Sequence, residues 1–183
     1  EGNAISQYFG LIAEGFLTAA DIANPNLPVS SYGPVKVGDL KYKDVNGDRI
    51  INDQDISPIG FSDIPENNFS LNAGINYKNW GFNMAFQSVN NVSRYYNGDA
   101  MFAFVDGGKV MEHHLNRWDP AQSEATNLAN AKYPLLHYDN YGDHNQRLNS
   151  FFLKNGAFVR LKTVELSYNL PSAWTKKVGM SNV

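Results

Sequence analysis

Phe69-Ser-Leu-Asn-Ala-Gly-Ile-Asn-Tyr77, then Lys78-Asn79, then Trp80-Gly-Phe-Asn-Met-Ala-Phe-Gln-Ser88 is the stretch on which the fold is decided. Leu71, Ala73, Ile75 and Tyr77 alternate with Ser70, Asn72, Gly74 and Asn76. Beyond a tight connection Trp80, Phe82, Met84 and Phe86 alternate with Gly81, Asn83, Ala85 and Gln87. A period of two belongs to strands, so the stretch predicts a β-hairpin with one apolar and one polar face. Each arm has about nine or ten residues, the length a tilted strand needs to cross the hydrocarbon core of a bilayer. Tyr77 and Trp80 flank the turn, where aromatic rings suit a membrane interface. A soluble antiparallel sheet with one face on a core gives the same alternation. Two features weigh against it: the polar face carries small uncharged residues, and short and very long connections alternate along the chain.

Working outward, Ala157 to Leu170 reads as a further strand, closed by Pro171. Val159 and Leu161 share one phase and Val164, Leu166 and Tyr168 the other, so a β-bulge near Lys162-Thr163 is expected to bring all five to one side. Gln7 to Leu17 reads as a strand whose glycines imply bulges or close backbone approach. Thr18 to Asn24 has room for a turn of helix, and Pro25, Pro28 and Pro34 forbid regular structure up to Val37. Four strands joined by long, short and long links place both long links on one side. That asymmetry belongs to a transmembrane barrel with long external loops and short periplasmic turns. The fold class expected is therefore all-β: antiparallel strands of a transmembrane β-barrel, about four of them, with long extracellular loops.

The totals narrow the function. Three more acids than bases among 183 residues give no reason to expect a nucleic-acid partner. An aromatic content of 13%, with ten tyrosines, suits carbohydrate or peptide contact and equally the interfacial girdle of a barrel. With no cysteine there is neither a disulfide framework nor thiol chemistry. No run of 18 apolar residues is present for a membrane-spanning helix. The chain opens at Glu1 without an apolar leader and closes at Val183, and reads as an internal piece of a larger protein.

The sharpest local motif is Asp44-Val-Asn46-Gly-Asp48-Arg-Ile50-Ile-Asn52-Asp-Gln-Asp55. Side-chain oxygens of Asp44, Asn46, Asp48, Asn52 and Asp55 fall at positions 1, 3, 5, 9 and 12 of a twelve-residue loop, with Ile50 at the carbonyl position, 7. A hard cation such as Ca²⁺ takes six to eight oxygens, and this spacing wraps them around one point. Two departures stand out: Arg49 occupies position 6, where glycine is usual, and Asp55 replaces the longer Glu at position 12. The alternative is a metal-free cluster of Asx turns, since Asp-x-Asn-x-Asp also caps its own backbone. Pro58 and Gly60 follow at once, so a bound cation would stiffen the loop from Gly38 to Pro65 rather than switch it.

From Asn90 to Gly156 the chain is polar and reads as a long loop. Arg94, Tyr95 and Tyr96, with the segment to Asp99, are candidate ligand contacts, and so are Tyr138 and Tyr141 in the segment to Asp143. The assignment rests on exposure and aromatic content. Residues Gly108 to Trp118 read as a short helix packed through Met111, Leu115 and Trp118. Adjacent His113 and His114 would point about 100° apart on it, too far to share a zinc ion. His137 and His144 lack ligand spacing. No nucleophile, acid/base or phosphate-loop constellation is visible, so no enzyme is expected.

Several motifs together resemble the SusC/RagA type of TonB-dependent outer-membrane transporter. They are Gly38-Asp39-Leu-Lys-Tyr42-Lys-Asp44-Val-Asn46-Gly47-Asp48, Arg117-Trp118-Asp-Pro120, Tyr133-Pro134-Leu-Leu136, and Leu153 to Pro171 with Gly156, Phe158, Arg160-Leu161-Lys162, Leu166 and Tyr168 in place. Leu135 and Val159 depart from the usual Arg and Leu. The resemblance implies that residues 1–183 belong to the C-terminal barrel of a larger receptor in the bacterial outer membrane, with plug domain and final strands outside the segment. It further implies import of oligosaccharides or peptides, contact with barrel lipid, a SusD-like lipoprotein partner, and energy relayed by TonB. A soluble calcium-stabilised carbohydrate-binding β-module is the competing reading. The two differ over whether Leu71, Ile75 and Phe82 face lipid or a dry core.

Overall fold

The computed structural model describes residues 2–98, 101–105, 109–138, 142–171 and 174. Strands dominate its regular structure, as the all-β expectation requires, and helices are few and short. In chain order the strands are β1 (Phe9–Gly10), β2 (Ala13–Phe16), β3 (Val29–Ser30), β4 (Leu40–Tyr42), β5 (Ile50–Ile51), β6 (Ser57–Pro58), β7 (Asn67–Tyr77), β8 (Trp80–Asn90), β9 (Ser93–Tyr95), β10 (Leu153–Asn155) and β11 (Phe158–Tyr168). The helices are α1 (Ala19–Ala23), α2 (Glu124–Asn130) and α3 (Gly142–Gln146). The chain divides into two compact units, residues 1–63 with 93–155 and residues 64–92 with 156–183.

The second unit is an open antiparallel sheet in the order β11-β8-β7, each strand eleven residues long. A two-residue turn at Lys78-Asn79 joins β7 to β8, with Lys78 in the left-handed region (φ 54°) and Tyr77 opposite Trp80. Register fixes the faces, because residues directly opposite one another share a side. Phe86 stands between Leu71 and Leu161, Met84 between Ala73 and Val164, Phe82 between Ile75 and Leu166, and Trp80 between Tyr77 and Tyr168. The expected bulge is present: Leu161 and Thr163 face consecutive β8 residues, so Lys162 is the extra residue and the apolar series stays on one side. Ser70, Asn72, Asn76, Asn83, Gln87, Thr163 and Ser167 line the other side. Gly74 and Gly81 leave room there: a Cβ at Gly74 would collide with the Asn83 amide, and one at Gly81 with Ser167 and Asn76. Arg160 holds Gln87 Oε1 through two nitrogens, at 3.2 and 2.7 Å.

Residues Gln7 to Leu17, expected as a fourth long strand of the same kind, are not part of this sheet. They form β1 and β2 in the first unit, paired with β6 and β4. Between them Leu11 bridges Asn149, its N–H donating to Leu148 O and its carbonyl accepting from Ser150 N. Gly10 permits this approach, since a Cβ there would overlap the Leu148 carbonyl. A bulge lies at Glu14, between Ala13 and Gly15, as the glycine-rich sequence led one to expect. Among the described residues the long strands are thus three, β7, β8 and β11, where about four were expected.

The first unit is built from short strand pairs around Leu11, Leu40, Tyr42, Ile51 and Phe152. Thr18 caps α1 reciprocally with Asp21: Asp21 N–H donates to Thr18 Oγ1 and Thr18 N–H to the Asp21 carboxylate. The prolines leave only β3 between Pro25 and Val37, paired in parallel with β5. Residues expected as a helix from Gly108 to Trp118 form a 3₁₀ turn over Glu112–Asn116, and Gly108 lies outside the described residues. At three residues per turn His114, not Leu115, faces inward: Leu115 is 72% exposed, Met111 is exposed too, and Trp118 is buried. Inside the stretch expected to be loop, α2 is capped by Ser123, whose Oγ accepts from Thr126 N–H.

Candidate functional site

Three places on the chain bear on function. The first is the apolar face of β7, β8 and β11. Within its unit Leu71 is 64% exposed, Ile75 66% and Leu166 65%, and every residue of β7 and β11 is exposed. Open sheets of this kind bury one face in soluble proteins; here neither face of β7 and β11 is covered, and one of the two carries the larger apolar side chains. Trp80 and Tyr168 pack ring against ring at 4.7 Å beside the turn, with Lys78 Nζ 5.3 Å from the Tyr77 ring centre.

The second is the loop from Asp44 to Asp55. Asp44 Oδ1 and Oδ2 accept from Gly47 and Arg49 N–H, Asn46 Oδ1 from Asp48 N–H, and Asp48 Oδ1 from Ile50 N–H. Asn52 Oδ1 accepts from Gln54 N–H, and the buried Asp55 carboxylate from Val45 and Asn52 N–H. Arg49 takes the left-handed conformation (φ 65°) that explains why glycine is usual at that position. The loop therefore adopts the Asx turns named as the alternative to a cation site. The two are chemically compatible, because an oxygen that accepts one amide keeps a lone pair for a hard cation. Ile50 is the carbonyl position of the series, and its strand β5 is held by β3. Among the described residues no group of three or more His, Cys, Asp or Glu side chains is gathered as a metal cluster.

The third was not legible as a site. Asp39 is wholly buried; its Oδ1 meets His137 Nε2 at 2.6 Å and accepts from Asn145 Nδ2 at 2.8 Å, while Oδ2 accepts from Lys36 N–H. Asn145 Oδ1 in turn accepts from Leu40 N–H. Next to it His144 Nε2 faces the Leu40 carbonyl at 2.7 Å, so that nitrogen carries the proton. Burial holds the His144 pKa below the ordinary histidine value, and the neutral ring accepts at Nδ1 from Ser30 Oγ–H. Tyr42 donates to His144 O, and Asn149 Nδ2 donates to Tyr42 Oη; burial pushes the Tyr42 phenol far up. Three of the motifs quoted for the family resemblance, those at Gly38-Asp39, Trp118 and Tyr133-Pro134, meet here. Gly38 (φ 95°) lies flat against the Trp118 indole, which a Cβ would strike, Leu135 N–H donates to Gly38 O, and Trp118 N–H to Tyr133 O. The arrangement is a scaffold: its polar atoms are spent on one another and on backbone.

The candidate ligand residues are not brought together. Arg94 is exposed on β9, while Tyr95 is half-buried against the core, with its Oη donating to Arg147 O and its pKa pushed up to about 12 by burial. Tyr96 is exposed. Tyr138 is 86% exposed and rests edge-on against Phe104, and Tyr141 lies outside the described residues. Among the described residues no hydrogen bond or ring contact joins Tyr138 to the Arg94–Tyr96 segment.

No family model matches the chain. It is similar to two curated proteins of Formosa agariphila. TonB-dependent receptor P26 is 30% identical over 154 residues, which cover 82% of this chain and 14% of that protein. TonB-dependent receptor P3 is 24% identical over 187 residues, covering 100% of this chain and 17% of that protein. The chain spans less than a fifth of the length of either relative. These two likenesses support the TonB-dependent receptor family as the one to which this chain belongs.

Proposed function

We propose that this chain is part of the wall and external loops of a TonB-dependent outer-membrane transporter of the SusC/RagA type. It takes in oligosaccharides or peptides with a SusD-like surface lipoprotein, and TonB supplies energy through another part of the receptor. The role is transport and assigns no catalytic residue. The observation that carries the reading is the β7-β8-β11 sheet. Eleven residues at about 3.3 Å each, tilted near 45°, cover the apolar band of an outer membrane. Its apolar face is uncovered, and its other face carries amides and hydroxyls suited to a wet lumen. In the first unit, Asp44, Asn46, Asp48, Asn52, Asp55 and the Ile50 carbonyl are the donors we assign to Ca²⁺, whose part is to stiffen the loop.

Residues 1–183 hold no cysteine, so a label placed in this stretch has no native neighbour within it. Single cysteines at positions 71 to 76 of the full-length receptor in vesicles, carrying a spin label, are expected to alternate. Leu71, Ala73 and Ile75 should be open to lipid-dissolved oxygen, and Asn72, Gly74 and Asn76 to a water-soluble relaxant. A soluble module would show no lipid-exposed phase, and that outcome would overturn the proposal.

A further inference from the structure

The sequence holds three Asn-Gly pairs, Asn46-Gly47, Asn97-Gly98 and Asn155-Gly156. Such pairs are chemically labile. The glycine N–H, once deprotonated, attacks the asparagine Cγ; the C–N bond to the side-chain amide breaks, ammonia leaves, and a five-membered succinimide closes. Water then opens the ring at either carbonyl, giving aspartate or its β-linked isomer, with no oxidant or reductant consumed. Glycine is favoured as the attacking residue because it has no Cβ to obstruct the approach. Whether a given pair reacts depends on whether its glycine N–H and its asparagine amide are free to leave their native partners.

The structure treats the three differently. Gly47 N–H donates to Asp44 Oδ1 at 2.7 Å, and the Asn46 amide is held at both ends, accepting from Asp48 N–H and donating to Asp48 Oδ2 and Gln54 Oε1. Asn155 is locked in β10 opposite Ser93, and Gly156 N–H donates to Val92 O at 2.9 Å. Asn97 and Gly98 are both exposed, and among the described residues neither the Asn97 amide nor the Gly98 N–H has a hydrogen-bond partner. Gly98 stands at φ 81°, with nothing within 4 Å of the place where a Cβ would be, so the attacking residue is uncrowded. Its carbonyl, in the following peptide, accepts from Met101 and Phe102 N–H, which leaves the Asn97–Gly98 peptide nitrogen unengaged.

We infer that Asn97 is a site of spontaneous deamidation on the folded protein, and that Asn46 and Asn155 are protected. The product puts a new carboxylate, and in its β-linked form an extra backbone methylene, directly after the Arg94–Tyr96 segment. The inference stands on local geometry and does not depend on the transport reading.

The test is a time course of the purified full-length protein in mildly alkaline buffer, natively folded and in strong denaturant, read by peptide mass mapping at all three pairs. One lost hydrogen bond is worth about a tenfold difference in population, so the native protein is expected to convert Asn97 at least about tenfold faster than the other two. In denaturant the three rates should converge, because all share the same glycine neighbour. Native rates that match across the three sites, or an Asn97 that stays an amide while the denatured chain converts, would overturn the inference. Asn97→Gln, which disfavours the five-membered ring, should remove the modified peptide and leave the slow signals of Asn46 and Asn155 in place.

Discussion

Ala73 and Asn72 are neighbours on β7 with opposite surroundings, and a lysine placed at each tests the reading of the sheet. Ala73 lies between Leu71 and Ile75 on the apolar face, opposite Met84 and through it Val164. It stands four residues from Tyr77 at the turn. At about 3.4 Å per residue and a tilt near 45°, that is about 10 Å in depth, close to the middle of an apolar band about 25 Å tall. A cation there costs about 2–4 kcal/mol, which is about 30- to 1,000-fold in the folded-to-unfolded ratio. Asn72→Lys, on the face lined by amides and hydroxyls, should stay within about 0.5 kcal/mol of the parent. Tyr77→Lys, at the interface, should cost no more than about 1 kcal/mol for its charge. The assay is urea unfolding of the full-length receptor in vesicles, followed by the shift in gel mobility between folded and unfolded barrels. The decisive quantity is the gradient from Ala73 to Tyr77. A dry protein core would penalise lysine without regard to distance from the turn, and a flat profile would refute the membrane assignment.

Three further outcomes are expected. Asp39→Ala leaves His137, Asn145 and Lys36 N–H without their shared acceptor and should cost about 3 kcal/mol or more, read as faster limited proteolysis of residues 1–63; unchanged proteolysis would show that the buried network holds nothing together. Burial lowers the pKa of His114 and His144 in the folded chain, so the unfolded chain binds more protons below pH about 6.5. Their contribution is therefore full above that pH and lost as pH falls from it towards the folded values. Acidification from neutrality should weaken the first unit, and His144→Gln should flatten that slope. Finally, excess chelator should expose residues 38–65 to protease, added Ca²⁺ should restore resistance, and Asp48→Ala should abolish the difference; equal cleavage with and without chelator would remove the cation from the account.

The hairpin was legible because its period of two runs for a full strand on either side of a two-residue break, and the bulge because the apolar phase flips at one place. The Asx-rich loop was legible as a loop because its oxygens sit at fixed offsets. The first unit was not legible in this way. Strands of two to four residues are too short to show a period, and their partners lie far along the chain, as with Leu11 and Asn149 or Ala13 N–H and Ser150 Oγ. The same distance hid His137, His144 and Asn145, whose partners Asp39 and Leu40 stand about a hundred residues earlier. Only the Gly38-Asp39, Trp118 and Tyr133-Pro134 motifs hinted at a common location. The predicted helix at Gly108 to Trp118 failed because a three-residue repeat replaced the 3.6-residue one and turned His114 inward instead of Leu115.

The bulge at Lys162 makes β11 a strand with a spare residue. In an unbroken strand, parity is conserved: removing any one residue moves everything beyond it to the opposite face. Removing Lys162 alone leaves Val159, Leu161, Val164, Leu166 and Tyr168 in step, because the spacing from Leu161 to Val164 falls from three to two. A deletion at this point should leave the sheet intact, whereas the loss of Glu165 should turn Leu166 and Tyr168 into the polar row. The strand thus carries one position at which its length can change by a residue without reversing its inside and outside.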